Sequence, residues 1–131
     1  MPLQQTLWTE LTVTPQATTV KVRGEARLLV DNLERDLGRA MLAKPKLVIL
    51  DLSELSFCSS LGMGIMVSFR RGLVHHGGRV VFCALQPLVL ESFQRARLHD
   101  IFEICDSAAN IPNLGEGAGD AAPSPAPANP A

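Results

Sequence analysis

The sequence lacks the features that would point to a membrane, to secretion or to nucleic acid. No apolar run approaches the roughly 18 to 20 residues that a membrane-spanning helix needs, and the N-terminus has no basic segment followed by an apolar core. The formal charge is only −1 and basic side chains do not cluster, whereas binding to phosphate backbones depends on such clusters. We therefore expect a cytoplasmic protein with no membrane partner and no direct contact with nucleic acid.

Cysteine and histidine are scarce, and their spacing argues against metal and redox sites. Cys58, Cys83 and Cys105 are odd in number and include no Cys-x-x-Cys pair. We expect Cys83 and Cys105 to be packed thiols. His75 and His76 have no further ligand type nearby in the sequence. The sequence therefore predicts no metal site and no cofactor.

Two common enzyme motifs are missing as well. The chain contains no Gly-x-Ser-x-Gly nucleophile elbow and no Gly-x4-Gly-Lys-Ser/Thr phosphate loop. Its three histidines offer no evident base backed by an aspartate. These absences favour a binding protein over an enzyme.

Composition divides the chain into one domain and a tail. With 131 residues, 47% of them hydrophobic, the chain is large enough to bury one core. Residues 108–131 are rich in Ala, Pro, Gly and Asn, and they have no large apolar residue after Leu114. Such a segment buries too little to offset the entropy of ordering. We predict a domain at residues 1–107 and a disordered tail at 108–131.

Within the predicted domain, hydrophobic periodicity alternates between strand and helix. Short β-branched runs at residues 7–13 and 18–22 flank Thr14-Pro15-Gln16-Ala17 and predict an opening hairpin of two strands. Leu29, Leu33, Leu37 and Met41 recur every fourth residue, which is typical of an amphipathic helix. The charged residues between them, including Asp36, are predicted to form its solvated face. The other predicted elements are a buried strand at 46–52, a helix from 61 that ends at Gly77-Gly78, a strand at 79–85, a helix at 88–97 and an edge strand at 101–105. This order predicts a single α/β domain with a mixed four- to five-stranded sheet, an N-terminal antiparallel hairpin and three to four helices.

The turn after the buried strand places two hydroxyls and two glycines between a strand and a helix. Residues 57–64 read Phe-Cys-Ser-Ser-Leu-Gly-Met-Gly. Open α/β sheets bind ligands and partners at such carboxyl ends, where a helix offers unpaired N–H groups. Ser59 or Ser60 is at least a helix cap. Gly62 and Gly64 each cost about 1 kcal/mol against Ala, so we expect close packing on the sheet or close approach of a partner to require them.

These residues resemble the signature of STAS domains, the family of bacterial anti-sigma factor antagonists and sulphate-transporter tails. The family pattern is an apolar strand with Asp-Leu, then Phe-x-Asp-Ser-x-Gly-x-Gly opening a helix. The chain matches it at Asp51-Leu52 and at residues 57–64, with Ser59 where the pattern has Asp. Three further segments agree in order over about residues 7–106: Val22-Arg23-Gly24-Glu25 resembles the turn that ends the second strand, Gly77-Gly78-Arg79-Val80 the entry to the next strand, and Leu98-His99-Asp100-Ile101-Phe102 the closing segment.

The resemblance implies the fold of this family and the function of a protein switch. In such antagonists the unphosphorylated form binds an anti-sigma factor that is also a serine kinase, and phosphorylation of one serine ends the interaction. The corresponding residue is Ser60, with Ser59 as the alternative acceptor. The implied partner-binding residues are Gly24, Glu25, Ala26, Arg27, Cys58, Ser59, Ser60, Leu61, Gly62, Met63 and Gly64, continued by the exposed face of the following helix to residue 70.

A second interpretation stays open beside the switch. The loss of the motif Asp favours a STAS-like scaffold module that binds a partner, or assembles with itself, without phosphorylation. The sequence also leaves a homodimer open. It does not identify the kinase, the sigma factor or the upstream signal.

Overall fold

A five-stranded mixed sheet forms the centre of the molecule. The computed structural model describes residues 6–27 and 30–106; the predicted tail therefore lies outside the described residues. In the sheet, strand order follows chain order; the first pair is antiparallel and the remaining pairs are parallel. The strands are β1 (Leu7–Val13), β2 (Thr18–Ala26), β3 (Leu47–Cys58), β4 (Arg79–Cys83) and β5 (Glu103–Cys105).

Three helices connect the parallel strands, and local sequence explains their ends. They are α1 (Asp31–Leu42), α2 (Ser60–His75) and α3 (Pro87–Arg95), and a short 3₁₀ helix (Leu98–Asp100) precedes β5. Pro87 opens α3, where its missing N–H would have no helical partner in any case. The end of α2 depends on Gly77, whose φ of +85° favours glycine, and on the Gly78 N–H, which donates to the Leu73 carbonyl.

All three helices pack on one face of the sheet. Successive strands are added in one direction, so right-handed crossovers bring each helix to the same side. Alternate strand residues meet them there, and Phe82 of β4 stacks on Phe102 at 4.1 Å between ring centroids while Phe93 of α3 meets both rings edge-on. The sheet and helix residues fully buried in this core include Val20, Val22, Leu33, Leu50, Leu52, Met66, Leu73, Phe82, Val89 and Phe93.

The opposite face of β3 and β4 is apolar as well. Leu47 and Ile49 of β3 join Val81 and Cys83 of β4 in a second buried cluster. Burial on both faces explains why the start of β3 has a continuous apolar sequence rather than an alternating one. The predicted fold class, hairpin and element order are confirmed.

The largest errors in the predicted strands concern the ends of β2 and β3. Residues 18–22 and 46–52 were predicted as strands, but β2 continues to Ala26 and β3 to Cys58. The ladder between them shifts register at two places near Arg23 and Gly24, which together we call the bulge of β2. Gly24 therefore lies inside β2 rather than in a turn that ends it. Polar residues in the second half of β3 conceal its strand character. One of them, Glu54, forms a 2.9 Å ion pair with Lys21 on the neighbouring strand.

Candidate functional site

The structure brings the two segments predicted to bind a partner side by side. Glu25 pairs with Phe57 and Ala26 pairs with Cys58 in the parallel ladder of β2 and β3. The Ser59 N–H then donates to the Ala26 carbonyl at 2.8 Å, which extends the pairing one residue beyond the strand. Both segments therefore lie at the carboxyl edge of the sheet, beside the first turn of α2.

Ser59 is the N-cap of α2, and its hydroxyl acts both as donor and as acceptor. The Oγ accepts a hydrogen bond from the Gly62 N–H at 3.2 Å and donates one to the Arg27 carbonyl at 2.9 Å. The first bond satisfies an amide that has no acceptor within the helix. The second joins the segment after β2 to the start of α2. Ser59 therefore caps the helix, as the family's Asp could, and adds a donated bond that a carboxylate could not make.

Replacing Ser59 with Ala is expected to lower the free energy of unfolding by about 1 to 2 kcal/mol, since the cap and the bond to Arg27 are both lost. Ser59→Asp should lose less than half as much, because a carboxylate still caps the Gly62 amide and favours a helix N-terminus. Urea unfolding measures both changes, with Gln94→Ala on the exposed face of α3 as the control. Equal losses for the Ala and Asp variants would contradict the capping role.

Ser60 is the first residue of α2, and its side chain is exposed. In the part of the chain that the structure describes, its hydroxyl makes no hydrogen bond. The first amides of a helix have no intrahelical acceptor and carry the positive end of the macrodipole. The two neighbouring serines thus differ in kind: one hydroxyl holds the turn together and the other faces solvent at a positive helix end.

The two glycines of the motif also differ. A Cβ on Gly62 would lie 3.0 Å from Cys58 Sγ and 3.1 Å from Ala26 Cβ, so the helix approaches the sheet closely at this residue. A Cβ on Gly64 would meet nothing within 4 Å. Packing explains Gly62, as predicted, but no contact in the described residues explains Gly64.

Arg27 places a positive charge beside the turn. Its guanidinium lies 4.4 Å above the centre of the Phe57 ring and forms a 2.7 Å ion pair with Glu25. The hydrogen bond from Arg27, followed by its charge, lowers the pKa of Glu25. Phe57 was not among the predicted contact residues. Its position two residues before Ser59 was the feature of the sequence that could have indicated its place at the site.

Several predicted contact residues do not reach the surface. Ala26, Cys58 and Gly62 are buried, so they can shape the site only from beneath. The remaining predicted residues are accessible: Arg27, Ser60, Leu61 and Gly64 are exposed, and Gly24, Glu25, Ser59 and Met63 are partly exposed.

Burial keeps the Cys58 thiol protonated. Desolvation raises its pKa from 9.0 to about 12, and the side chain is 2% exposed. The thiolate is the reactive form, so Cys58 is a packing residue rather than a nucleophile. Within the described ranges, no group of three or more His, Cys, Asp and Glu side chains could hold a metal ion.

Alkaline pH is expected to destabilise the fold through this thiol. The unfolded chain releases the thiol proton near pH 9, whereas folded Cys58 releases it only near pH 12. The contribution of the protonated thiol to the free energy of unfolding is therefore complete below pH 9 and is lost as the pH rises toward 12. The slope reaches at most about 1.4 kcal/mol per pH unit for one thiol. Cys83, whose pKa is raised to about 11, acts in the same direction.

Urea unfolding at about pH 8 and at about pH 10 measures this slope. Cys58→Ala should lower stability at both values but reduce the loss between them. An unchanged slope in that variant would contradict the assignment to Cys58.

Comparison with known proteins assigns the family. The model of the STAS domain matches residues 9–111. This range contains all of the site and the whole described sheet except the start of β1. The chain belongs to the STAS domain family. In the described ranges, no helix is both long enough and apolar enough to cross a membrane.

Individual STAS proteins resemble this chain to different degrees. BtrV of Bordetella bronchiseptica, named as a candidate anti-sigma factor antagonist, is 30% identical over 77 residues, which cover 59% of this chain and 66% of that protein, just under two thirds. An anti-sigma factor antagonist from Mycobacterium paratuberculosis has a crystal structure that superimposes with a TM-score of 0.73 at 21% identity, covering 79% of this chain and 89% of that one.

The third comparison is with the anti-sigma factor antagonist SpoIIAA in its unphosphorylated form. The TM-score is 0.63 at 22% identity, with 75% of this chain and 88% of that chain covered. The Bacillus protein SpoIIAA has also been solved in its phosphorylated form, which superimposes with a TM-score of 0.59. At these identities the structural matches establish the shared fold.

Proposed function

We propose that this STAS protein is a cytoplasmic, non-enzymatic anti-sigma factor antagonist. It binds an anti-sigma factor serine kinase through the carboxyl edge of β2 and β3 and the first turns of α2, and so regulates transcription that depends on a sigma factor. Phosphorylation of Ser60 switches the interaction off. The observation that carries the proposal is the exposed Ser60 hydroxyl, free of hydrogen bonds in the described structure, at the start of α2.

The choice of Ser60 over Ser59 rests on hydrogen bonding. A kinase needs a hydroxyl that can enter its active site. Transfer to Ser59 would first require the loss of its bonds to Gly62 and Arg27, and with them part of the site itself. Ser60 can be modified without that cost. The absent Asp is no obstacle to the geometry, since Ser59 supplies the cap.

Phosphate at Ser60 changes the surface while leaving the fold in place. It adds about 1.5 to 2 negative charges at neutral pH, and the positive end of α2 stabilises them in the free protein. Inside a partner interface the same charges must lose their water, which is costly unless a cation faces them. The modification therefore favours the free protein over the complex.

Two relatives support this proposal. BtrV is named as a candidate anti-sigma factor antagonist, and SpoIIAA, an antagonist of the same fold, exists in unphosphorylated and phosphorylated forms. The family match places the serine-containing turn within the region that the STAS domain covers.

The experiment incubates the purified chain with ATP and each serine kinase of the anti-sigma factor class from the source genome. Mass spectrometry then locates the phosphate in the wild type and in Ser60→Ala, Ser59→Ala and Ser59→Asp. We expect phosphate on Ser60 in the wild type and in Ser59→Asp, and none in Ser60→Ala. Binding of a kinase without modification of either serine would overturn the switch and support the scaffold interpretation. Ester hydrolysis that is lost in Ser60→Ala would instead support an enzyme.

A further inference from the structure

A groove between α1 and α2 begins beside Ser60. It encloses about 480 Å³, and the two helices that form it run parallel because each follows a parallel strand of the same sheet. Ser60 and Glu34 lie at its amino-terminal end. The residues that line the groove are Glu34, Leu37, Gly38 and Met41 of α1 and Ser60, Leu61, Gly64, Ile65, Ser68 and Phe69 of α2.

Two glycines that the fold does not need widen this groove. Gly38 of α1 and Gly64 of α2 both line it, and a Cβ on either would meet nothing within 4 Å. Each glycine in a helix interior costs about 1 kcal/mol against Ala. Gly62, by contrast, is required by its contacts with Cys58 and Ala26. The open glycines leave space in the groove that the described residues do not fill.

The lining specifies the chemistry of the occupant. Apolar side chains form the floor and walls, and Leu61 is 52% exposed at the Ser60 end. Glu34 is the sole charged residue among the lining residues, and within the described ranges its carboxylate makes no ion pair. An occupant must therefore offer several large apolar side chains and one cation at the end near Ser60.

The length of the groove corresponds to about two turns of a helix. The wall from α1 runs from Glu34 to Met41 and the wall from α2 from Ser60 to Phe69, about 10 and 13 Å at the 1.5 Å rise of a helix. A third helix laid between two parallel helices presents side chains at positions i, i+3 or i+4, and i+7 over this length.

We propose that this groove receives one amphipathic helix of the anti-sigma factor kinase, with aliphatic side chains on the apolar floor and a Lys or Arg opposite Glu34. The proposal rests on the proposed function and adds its partner element. It also explains how phosphorylation ends binding, because phosphate on Ser60 would lie at the open end of an apolar groove. The incoming helix would have to remove water from that phosphate, and its single cation could not pair fully with both the phosphate and Glu34.

The test measures the affinity of the identified kinase by calorimetry for the wild type, Gly38→Leu, Gly64→Leu and Glu34→Lys. Filling the groove or reversing the charge should weaken binding by about tenfold or more, equivalent to about 1.4 kcal/mol. Leu88→Asp, which changes an exposed apolar residue on α3, is the control and should bind as the wild type does. Gly64→Ala and Gly38→Ala should raise the melting temperature by about 2 to 5 °C while weakening binding.

Cross-linking identifies the occupant. A photoreactive benzoylphenylalanine at residue 38 should link to one kinase helix rich in Leu, Ile or Met, and Glu in place of its basic residue should restore binding to Glu34→Lys. Equal affinity of the wild type and both Leu variants would overturn this inference and leave the proposed function standing. A cross-link to a second copy of this chain would overturn the assigned occupant. No kinase binding by the wild type would overturn the proposed function, and this inference with it.

Discussion

Replacing Ser60 with Asp is expected to weaken binding of the anti-sigma factor kinase by about 30- to 150-fold, or about 2 to 3 kcal/mol. The carboxylate would enter the interface at the start of α2 beside Glu34, which pairs with the single cation of the docked helix, so one of the two carboxylates would lose water without a cation of its own. Ser60→Ala should bind within about twofold of the wild type, because the hydroxyl makes no hydrogen bond in the described structure. Calorimetric titration of the kinase with each variant measures the difference.

The same substitution should leave the fold intact. An acidic residue in the first turn of a helix is favourable by about 0.3 to 1 kcal/mol, so Ser60→Asp should unfold at the same or a slightly higher urea concentration. Leu88→Asp, at an exposed position in the first turn of α3, controls for a charge added at a helix start away from the site. Wild-type affinity for Ser60→Asp, with its stability unchanged, would contradict a charge-controlled interface at this residue.

Replacing Gly24 with Ala is expected to lower the free energy of unfolding by about 2 to 4 kcal/mol. Gly24 has a φ of +100°, and a Cβ there would lie 2.1 Å from the Thr6 carbonyl oxygen and 3.2 Å from the Trp8 ring. That oxygen accepts a 2.7 Å hydrogen bond from the Glu25 N–H. Relief of the clash would break this bond and displace the strand segment that leads to Arg27.

Urea unfolding of Gly24→Ala tests this account of the bulge, with Gly64→Ala as the matched control. Both changes add one methyl group to a glycine near the site. The control should be stabilised because its helical backbone suits Ala and its Cβ meets open space. A loss below about 1 kcal/mol for Gly24→Ala would show that the backbone can adapt there.

Local periodicity predicted most of the fold because each element carries a clear pattern. Helix α1 follows from apolar residues at every fourth position, and the two-sided burial of β3 follows from its continuous apolar start. The second half of β3 could not be predicted in this way. Ser53, Glu54 and Ser56 are exposed there, and the strand exists because a neighbouring strand with a bulge pairs with it.

Tertiary contacts also changed the role of one charged residue. Asp36 belongs to the predicted solvated face of α1, yet it is only 7% exposed. Its carboxylate accepts a hydrogen bond from Thr9 of β1, and Arg35 and Arg39 lie 3.4 Å away. No period within α1 could indicate this bond, because the partner is 27 residues earlier in the chain.

At the site, the sequence located the turn but could not assign its parts. The motif placed both serines and both glycines at the start of a helix. Which hydroxyl is engaged depends on the Arg27 carbonyl, which a different strand supplies. Which glycine is needed for packing depends in the same way on Ala26 beneath α2. The groove forms only because α1 lies beside α2. The sequence alone therefore could not identify Gly38 and Glu34 as residues that line it.

The most direct test of the account compares two forms of this chain, one with phosphoserine incorporated at position 60 and one with serine, as ligands of the anti-sigma factor kinase in calorimetry. We expect affinity at least about thirtyfold lower for the phosphorylated form, a difference of about 2 kcal/mol, with both forms unfolding at similar urea concentrations. Equal affinity of the two folded forms would contradict the claim that the charge on Ser60 controls docking.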